Sequence, residues 1–385
     1  MGDELHNLSK RLTEVRTLAN QSQAGLAGKL GVSASLISHW EKGTRIPDES
    51  QLIELARHLG VALDYLLNSE IRPHFRCRAQ TTSNQRDAID QTMLDASEQL
   101  HFVDTALRMA KQPPVPFSLW AEFDTFANLP NIAGNLRDTL KLNRRVTLAE
   151  LKQALSERNI FVFDWAMPWH LSGLSYRGPF TAIFINYKHT PARRLFTLAH
   201  EFAHVVFHLG RKDPETKRPI DTVVSAIASH RDPLEKEANA FAGEFLMPEA
   251  DLKAIVKTHG SRLKDPSCLE RVAQEFNVSR DALFYRLTKL EVFRWTEKAK
   301  YFRNDFATPA APTNRVDQID DQVDARFRNV ALELHEDGQI SNGKLAQWFF
   351  TQRHILEDYL AEVARDKDLT ILDDDNHEGE PAGAS

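Results

Sequence analysis

A His-Glu-x-x-His motif constrains this chain more than any other feature of its sequence. In the segment LFTLAHEFAHVVFHLG, His200 and His204 stand four residues apart. On a helix, this spacing holds two imidazoles about 5–6 Å apart on one face, where both can bind one metal ion. Glu201 shares the polar face, and the opposite side is formed by apolar residues, namely Leu195, Leu198, Phe202, Val205 and Val206. The pattern predicts a buried helix with one polar stripe.

A zinc ion held by two histidines needs a further protein ligand. His208 lies eight residues beyond His200, which is about 12 Å along a helix axis, so a regular helix keeps the two apart. In the segment DPLEKEANAFAGEFLMP, Glu235 falls on the apolar arc of a second helix, whereas Glu237 and Glu244 point away from it. Because a carboxylate that faces a core needs a partner, we expect Glu235 to be the third ligand and Glu237 to face solvent.

Two other interpretations of these residues stay open. The histidines could be hydrogen-bonded residues of an ordinary core. Glu235 could form a buried salt bridge with Arg193 or Arg194. The glutamate between the two histidines favours the metal site, since this is the arrangement that supplies a general base beside the zinc ion of a metallopeptidase.

The N-terminal segment SQAGLAGKLGVSASLISHWEKG has the form of two short helices around a turn at Gly31. In a helix-turn-helix, the start of the second helix enters the major groove of DNA. Ser33 would cap that helix. The residues that we predict to contact DNA are Ala34, Ser35, Ser38 and His39 at the bases, Gln23, Lys42 and Arg45 at the phosphates, and the capping residue Ser33. The alternative is a helical hairpin that packs against the next domain.

Charge and composition limit the possible functions. The net charge is −6, and residues 1–68 carry seven Lys/Arg against eight Asp/Glu, so DNA binding requires a local surface and dimerisation. Two cysteines, Cys77 and Cys268, are too few for a disulfide framework. No apolar run reaches about 18 residues, and the first residues lack the pattern of a signal peptide. We therefore expect a cytoplasmic homodimer that does not bind membranes.

Shifts in pattern divide the chain into four parts. We predict a DNA-binding domain over residues 1–70, a helical connector over 71–158 and a metal-binding domain over 159–300. Residues 301–385 are expected to contain a linker, a helical segment and an acidic disordered tail. The β-type runs NIFVFDW and TAIFIN precede the two helices of the metal site. The predicted fold class is mainly α with an α+β part.

Both parts of the chain resemble known families. Residues 8–68, with LAGKLGVSASLISHWEKGTRIP followed by LIELARHLGVALDYLL, resemble the XRE family. This resemblance implies a five-helix repressor-like domain, a partly structural Glu41 and dimeric binding to a double-stranded DNA operator. Residues 160–290, with FINYKHTPARRLFTLAHE and EANAFAGEFLMP, resemble the ImmA/IrrE metallopeptidases. That resemblance implies a zincin-like fold with a small β-sheet and one Zn2+ held by His200, His204 and Glu235, with Glu201 as the catalytic base.

These features predict a DNA-binding transcriptional regulator with a zinc-dependent endopeptidase domain. Its expected protein substrate is a regulatory protein such as a repressor. The alternative is a non-proteolytic repressor or antitoxin that uses the metal domain for sensing or for binding a partner such as a toxin. Glu201 favours the first interpretation, because a site that does not cut has no use for a general base.

Overall fold

The computed structural model describes residues 2–68, 75–76, 83–113, 125–211, 222–226, 232–298 and 317–377, together with residues 115, 117 and 119. The chain forms two compact units, Met1–Ala310 and Ala311–Ser385. Within the described residues the fold is mainly helical with one mixed β-sheet, which confirms the predicted fold class. None of the described helices is both long and apolar enough to cross a bilayer.

The N-terminal residues form the predicted five-helix domain. Its helices are α1 (Gly2–Leu18), α2 (Gln23–Leu30), α3 (Ala34–Glu41), α4 (Glu49–Leu59) and α5 (Leu63–Asn68). Gly31 ends α2 with a φ of 66°, a left-handed conformation that glycine adopts without strain. Ser33 then caps α3, because its side chain accepts a hydrogen bond from the N–H of Leu36. Ile37 and Trp40 point from α3 into the core of this domain.

A sixth helix, α6 (Ser83–Met109), packs against this N-terminal domain. The carboxylate of Glu98 accepts a hydrogen bond of 2.6 Å from the backbone N–H of Ala62, at the start of α5. His101 Nε2 lies 3.1 Å from a carboxylate oxygen of Asp64. The first described helix of the predicted connector therefore packs on the five-helix domain.

Two further helices from the predicted connector belong to a different core. These are α7 (Leu129–Thr139) and α8 (Leu148–Ser156). Leu136 and Leu151 are buried in one cluster with Phe202 and Phe241 from the metal-binding region. The guanidinium of Arg137 also donates a hydrogen bond of 2.6 Å to the backbone oxygen of Phe245. The described parts of the connector thus divide between the two cores.

The sheet has five strands in the order β1-β5-β3-β4-β2. Their bounds are β1 (Phe75–Arg76), β2 (Ile160–Trp165), β3 (Leu171–Arg177), β4 (Thr181–Asn186) and β5 (Thr222–Ala226). Strand β4 pairs in parallel with β2 and antiparallel with β3, which in turn pairs antiparallel with β5. The apolar runs predicted β2 and β4, whereas LSGLSYR in β3 is too rich in glycine and serine to look like a strand.

Two helices pack together beside this sheet and carry the metal-binding motif. They are α9 (Pro191–Ala203), which continues as a π-helical turn over His204–His208, and α10 (Pro233–Leu246). Proline stands at the first position of both helices, where its fixed φ fits and its missing N–H is not needed. The helices that follow are α11 (Glu249–His259), α12 (Pro266–Glu275) and α13 (Arg280–Lys289).

The second unit has a small helical core of its own. Its helices are α14 (Asp317–Gln322), α15 (Ala325–Glu336), α16 (Asn342–Trp348) and α17 (Arg353–His377). Phe327, Leu345, Trp348 and Leu356 are buried within it. The predicted linker at 307–315 and the acidic residues after His377 lie outside the described residues.

Candidate metal centre

Three buried side chains from two helices converge on one point. His200 Nε2 lies 3.1 Å from His204 Nε2. The carboxylate of Glu235 lies 3.2 Å from His200 Nε2 through Oε2 and 3.4 Å from His204 Nε2 through Oε1. One donor atom from each residue lies within 4.8 Å of the others. The structure therefore brings together the three residues that the sequence singled out as ligands.

The spacing of these donor atoms fits a zinc ion. A tetrahedral site with bonds of about 2.0–2.1 Å sets neighbouring donor atoms about 3.3 Å apart. The distances of 3.1, 3.2 and 3.4 Å between the two imidazoles and the carboxylate lie close to that value. Two neutral imidazoles and a carboxylate are also a ligand set that catalytic zinc sites use.

Packing of α9 against α10 sets this geometry. Phe202 on α9 lies 6.1 Å from Phe241 and 5.8 Å from Phe245 on α10, measured between ring centroids. Asp232 begins α10 by accepting a hydrogen bond of 3.0 Å from the N–H of Leu234. Glu235 consequently lies in the first turn, on the side that faces α9.

The electrostatics of the cluster favour the protonation states that metal ligands require at Glu235 and His204. Burial raises the pKa of the Glu235 carboxyl, but hydrogen bonds from His200 and His204 outweigh burial, so the pKa is lowered. Burial lowers the pKa of the His204 imidazole, and Glu235 offsets this only in part. Glu235 is therefore ionised and His204 neutral, as in a metal site. At His200, burial lowers the pKa of the imidazole, but the hydrogen bond and charge of Glu235 outweigh burial and the pKa is raised, so a bound metal ion would have to displace a proton there.

The second ring nitrogen of each histidine also has a partner. His200 Nδ1 lies 3.1 Å from Asn239 Oδ1. His204 Nδ1 lies 2.8 Å from Nδ1 of His208, whose Nε2 lies 3.1 Å from Oε2 of Glu237. Asn239 follows Glu235 by four residues and so shares its helix face, which is the sequence signal that points to it.

The expectation that Glu237 faces solvent was wrong. Its side chain is 22% exposed and contacts His208, because the π-helical turn after α9 packs on the flank of α10. The placement of Glu244 away from the core was wrong as well, since Glu244 is buried and pairs with Arg286. A helical wheel drawn for α10 alone contains neither of these neighbouring elements.

The arginines of the alternative salt bridge interact elsewhere. Arg194 pairs with the buried carboxylate of Asp164. The Arg193 guanidinium lies 5.6 Å from the ring centroid of Trp169. The partners that the structure gives to Glu235 are His200 and His204.

Strand β3 passes directly over the carboxylate of Glu201. A Cβ atom added to Gly173 would lie 2.7 Å from Glu201 Oε1, 2.8 Å from Glu201 Cγ and 2.9 Å from Thr197 Cγ2. Real Cβ atoms do not approach other atoms this closely, so any larger residue at this position would force the Glu201 and Thr197 side chains to shift. Sequence reasoning missed Gly173, because the contact depends on how β3 is placed in the sheet.

We expect Gly173→Ala to lower the free energy of unfolding by about 1–3 kcal/mol, because the added methyl group overpacks a buried contact. Gly134→Ala in α7 is the matched control, since a Cβ there meets no atom within 4 Å. That change should stabilise the helix by about 0.5–1 kcal/mol. Urea unfolding of both variants measures the difference, and equal effects would contradict the close approach of β3.

The candidate DNA-binding residues lie around the start and end of α3. Ser38 is partly exposed. Six others are exposed, namely Ser33, Ala34, Ser35, His39, Lys42 and Arg45. The side-chain amide of Gln23 donates a hydrogen bond of 2.7 Å to Glu41, which also pairs with Arg16. Gln23 is therefore held by a carboxylate of its own domain, and Glu41 has the structural role that the XRE resemblance implies.

Comparisons with known proteins agree with these two parts. The sequence model of a helix-turn-helix family matches residues 12–66, and that of the IrrE N-terminal-like domain matches residues 156–288. The HTH-type transcriptional regulator ImmR of Bacillus subtilis is 31% identical over 103 residues, which cover 27% of this chain and 75% of ImmR. The uncharacterized HTH-type transcriptional regulator YqaE of the same species is 37% identical over 62 residues, covering 16% of this chain and 53% of YqaE.

Among solved structures, Bacillus thuringiensis PlcR in complex with the peptide PapR7 and DNA aligns over 97% of this chain and 98% of PlcR. Its sequence identity of 11% and TM-score of 0.19 are too low to carry an argument about this fold. The matches that carry weight are those to the two families and to ImmR, and they confirm both resemblances. The chain belongs to the XRE-type helix-turn-helix regulators and carries, after its DNA-binding domain, a domain of the ImmA/IrrE family.

Proposed function

We propose that this regulator is also a zinc-dependent endopeptidase that cleaves a regulatory protein, such as a repressor. One observation carries the proposal: His200, His204 and Glu235 present their donor atoms to one point, and Glu201 is buried on the same helix as the two histidines. A purely structural metal site has no need for an additional carboxylate beside its ligands.

The chain's own residues have separate roles in this reaction. His200, His204 and Glu235 would hold the zinc ion, which when bound polarises the peptide carbonyl and acidifies water. Glu201 would take a proton from the attacking water and pass it to the leaving amine. Gly173 limits the positions open to the Glu201 carboxylate, since β3 lies against Oε1 and Cγ. The proton is thus moved by a carboxylate whose range of positions is limited before substrate binds.

The test is to incubate the purified full chain with candidate protein substrates. The panel contains repressors and toxins encoded near this gene, each with added zinc and with a chelator. We expect one of them to be cut at a defined bond in the zinc sample and to stay intact with the chelator. The proposal fails if zinc-loaded protein leaves the whole panel intact.

A second function is favoured by the names of the relatives, since ImmR and YqaE are both transcriptional regulators. The chain would then act as a repressor or antitoxin whose metal domain binds a partner without cutting it. The two functions differ in their dependence on Glu201. Repression that is equally strong in wild-type and Glu201→Gln protein, with no cleavage in either, would support the second function.

For the N-terminal domain, we propose binding to a double-stranded operator as a homodimer. We expect Ser38→Ala or His39→Ala to relax the sequence preference, because these residues would contact base edges. Lys42→Ala should weaken binding to all sequences and lower the salt dependence by about one unit of slope. Fluorescence anisotropy on operator and random duplexes over a salt series measures both effects.

Lys111→Ala is the control for this series, since Lys111 is exposed and lies beyond the end of α6. It should change neither the preference nor the slope. If the full chain selects no sequence from a random duplex library at moderate salt, the proposal that the N-terminal domain binds a specific DNA sequence is wrong.

A further inference from the structure

We propose that His208 and Glu237 are positioning residues that orient His204 and fix which of its nitrogens can bind the metal. The proposal rests on the metal centre described above and adds two residues to it. It concerns three side chains in a row: Glu237 from α10, His208 from the end of the π-helical turn, and His204 from its start.

The π-helical turn brings His208 back towards His204. The N–H of Leu209 donates to the backbone oxygen of His204, five residues earlier, at 2.9 Å. In this wider turn the two imidazoles lie 4.8 Å apart between ring centroids. His208 has only 1% of its side chain exposed, so its ring is held by protein on all sides. Short π-helical turns of this kind are frequent at functional sites.

Once His204 binds the metal ion through Nε2, the hydrogen-bond distances allow one assignment of the protons. His204 Nε2 faces His200 Nε2 and the Glu235 carboxylate, so a ligating lone pair must be on Nε2. A neutral imidazole then carries its proton on Nδ1. That N–H points at His208 Nδ1, 2.8 Å away, and His208 can accept it only if its own proton is on Nε2. The Nε2–H of His208 in turn donates to Glu237 Oε2 at 3.1 Å.

The opposite assignment is unfavourable at both ends. With the His204 proton on Nε2, a donor would occupy the position of the metal ion. His208 would then present a lone pair from Nε2 to the carboxylate of Glu237, and both atoms are acceptors. Glu237 therefore selects the tautomer of His208, and through it the ligating tautomer of His204.

His200 has a simpler partner for the same purpose. Its Nδ1 lies 3.1 Å from Asn239 Oδ1, an acceptor that places the proton on Nδ1 and the ligating lone pair on Nε2. Each histidine ligand thus donates a hydrogen bond from its Nδ1–H to a protein acceptor. For His204 the acceptor is a histidine that is itself hydrogen-bonded to a carboxylate. Loss of such an outer partner lowers metal affinity by about 10–100-fold.

The experiment compares metal binding by the full chain and its variants. Zinc affinity is measured by competition with a chromogenic chelator, and the ligand geometry by the visible absorption spectrum of the cobalt-substituted protein. We expect Glu237→Ala to weaken zinc binding by about 10–100-fold and to alter the cobalt spectrum. Glu237→Gln should recover most of the affinity, because its amide oxygen can still accept from His208 Nε2.

Lys236→Ala is the matched control, since Lys236 is the exposed neighbour of Glu237 on α10. It should leave both the affinity and the spectrum unchanged. His208→Ala is the second test variant and should weaken zinc binding at least as much as Glu237→Ala. Because Glu237 is partly exposed, its variants should fold even if the loss of the buried His208 ring prevents folding.

The outcomes separate this proposal from the one on which it rests. If wild-type protein binds neither zinc nor cobalt, the metal centre itself is wrong. If wild-type protein binds both metals and Glu237→Ala keeps the wild-type affinity and spectrum, the positioning role is overturned and the metal centre stands. A fall in affinity that Glu237→Gln fails to recover would also overturn it, since the acceptor oxygen is then not what matters.

Discussion

Glu201→Gln protein will bind zinc as tightly as wild-type protein but will hydrolyse the substrate about 10²–10⁴-fold more slowly. Glutamine has nearly the same shape as glutamate, so the contact with β3 at Gly173 is preserved. An amide cannot take a proton from water at neutral pH, and loss of a general base lowers the rate by about 10²–10⁴-fold. The measurement is the cleavage rate of one substrate by both proteins at equal metal content.

Metal analysis and operator binding are the controls for Glu201→Gln, and both should match the wild type. A variant that has lost its zinc would say nothing about proton transfer, so the metal content is measured on the same sample. Equal cleavage rates in the two proteins would remove Glu201 from the mechanism.

Glu235→Ala protein will lose its zinc, whereas Glu237→Ala and His208→Ala proteins will keep the ion at lower affinity. The carboxylate of Glu235 is the group that meets both imidazoles, at 3.2 and 3.4 Å. Glu237 and His208 reach the centre only through His204. Elemental analysis after dialysis against metal-free buffer measures the zinc that each protein retains.

Thermal unfolding provides a second measurement of the same loss. Metal that binds only the folded protein raises its Tm, so added zinc should stabilise the wild type and leave Glu235→Ala unchanged. The assignment fails if Glu235→Ala retains a full complement of zinc while either of the other two variants loses it.

The parts of the site that the sequence predicted depend on regular local geometry. The four-residue spacing from His200 to His204 places both rings on one helix face, whatever surrounds the helix. The apolar arc of α10 was enough to place Glu235 towards the core, because Phe241 and Phe245 on the same arc must be buried. In the same way, Gly31 and Ser33 predicted the turn and the cap of the helix-turn-helix.

The parts that the sequence did not predict depend on contacts between distant segments. Gly173 meets Glu201 only because β3 lies between β4 and β5 in the sheet, and no local pattern specifies that order. Glu237 was misplaced because a wheel at 100° per residue describes one regular helix. The π-helical turn at His204–His208 departs from that geometry and covers the side of α10 that the wheel left to solvent.

Strand β1 has a consequence for any polypeptide that approaches the metal domain. Phe75 and Arg76 belong to the segment between α5 and α6, and they pair with Thr222 and Val223 of β5. A foreign strand that added to this side of β5 would first have to displace these two residues. Only molecules in which the β1–β5 pair is open could bind it, so the smaller this open fraction is, the weaker the apparent affinity for the foreign strand. Strand β1 competes with the foreign strand from within the same chain. Its local concentration at β5 is set by the length of the linking segment, so diluting the protein does not reduce this competition.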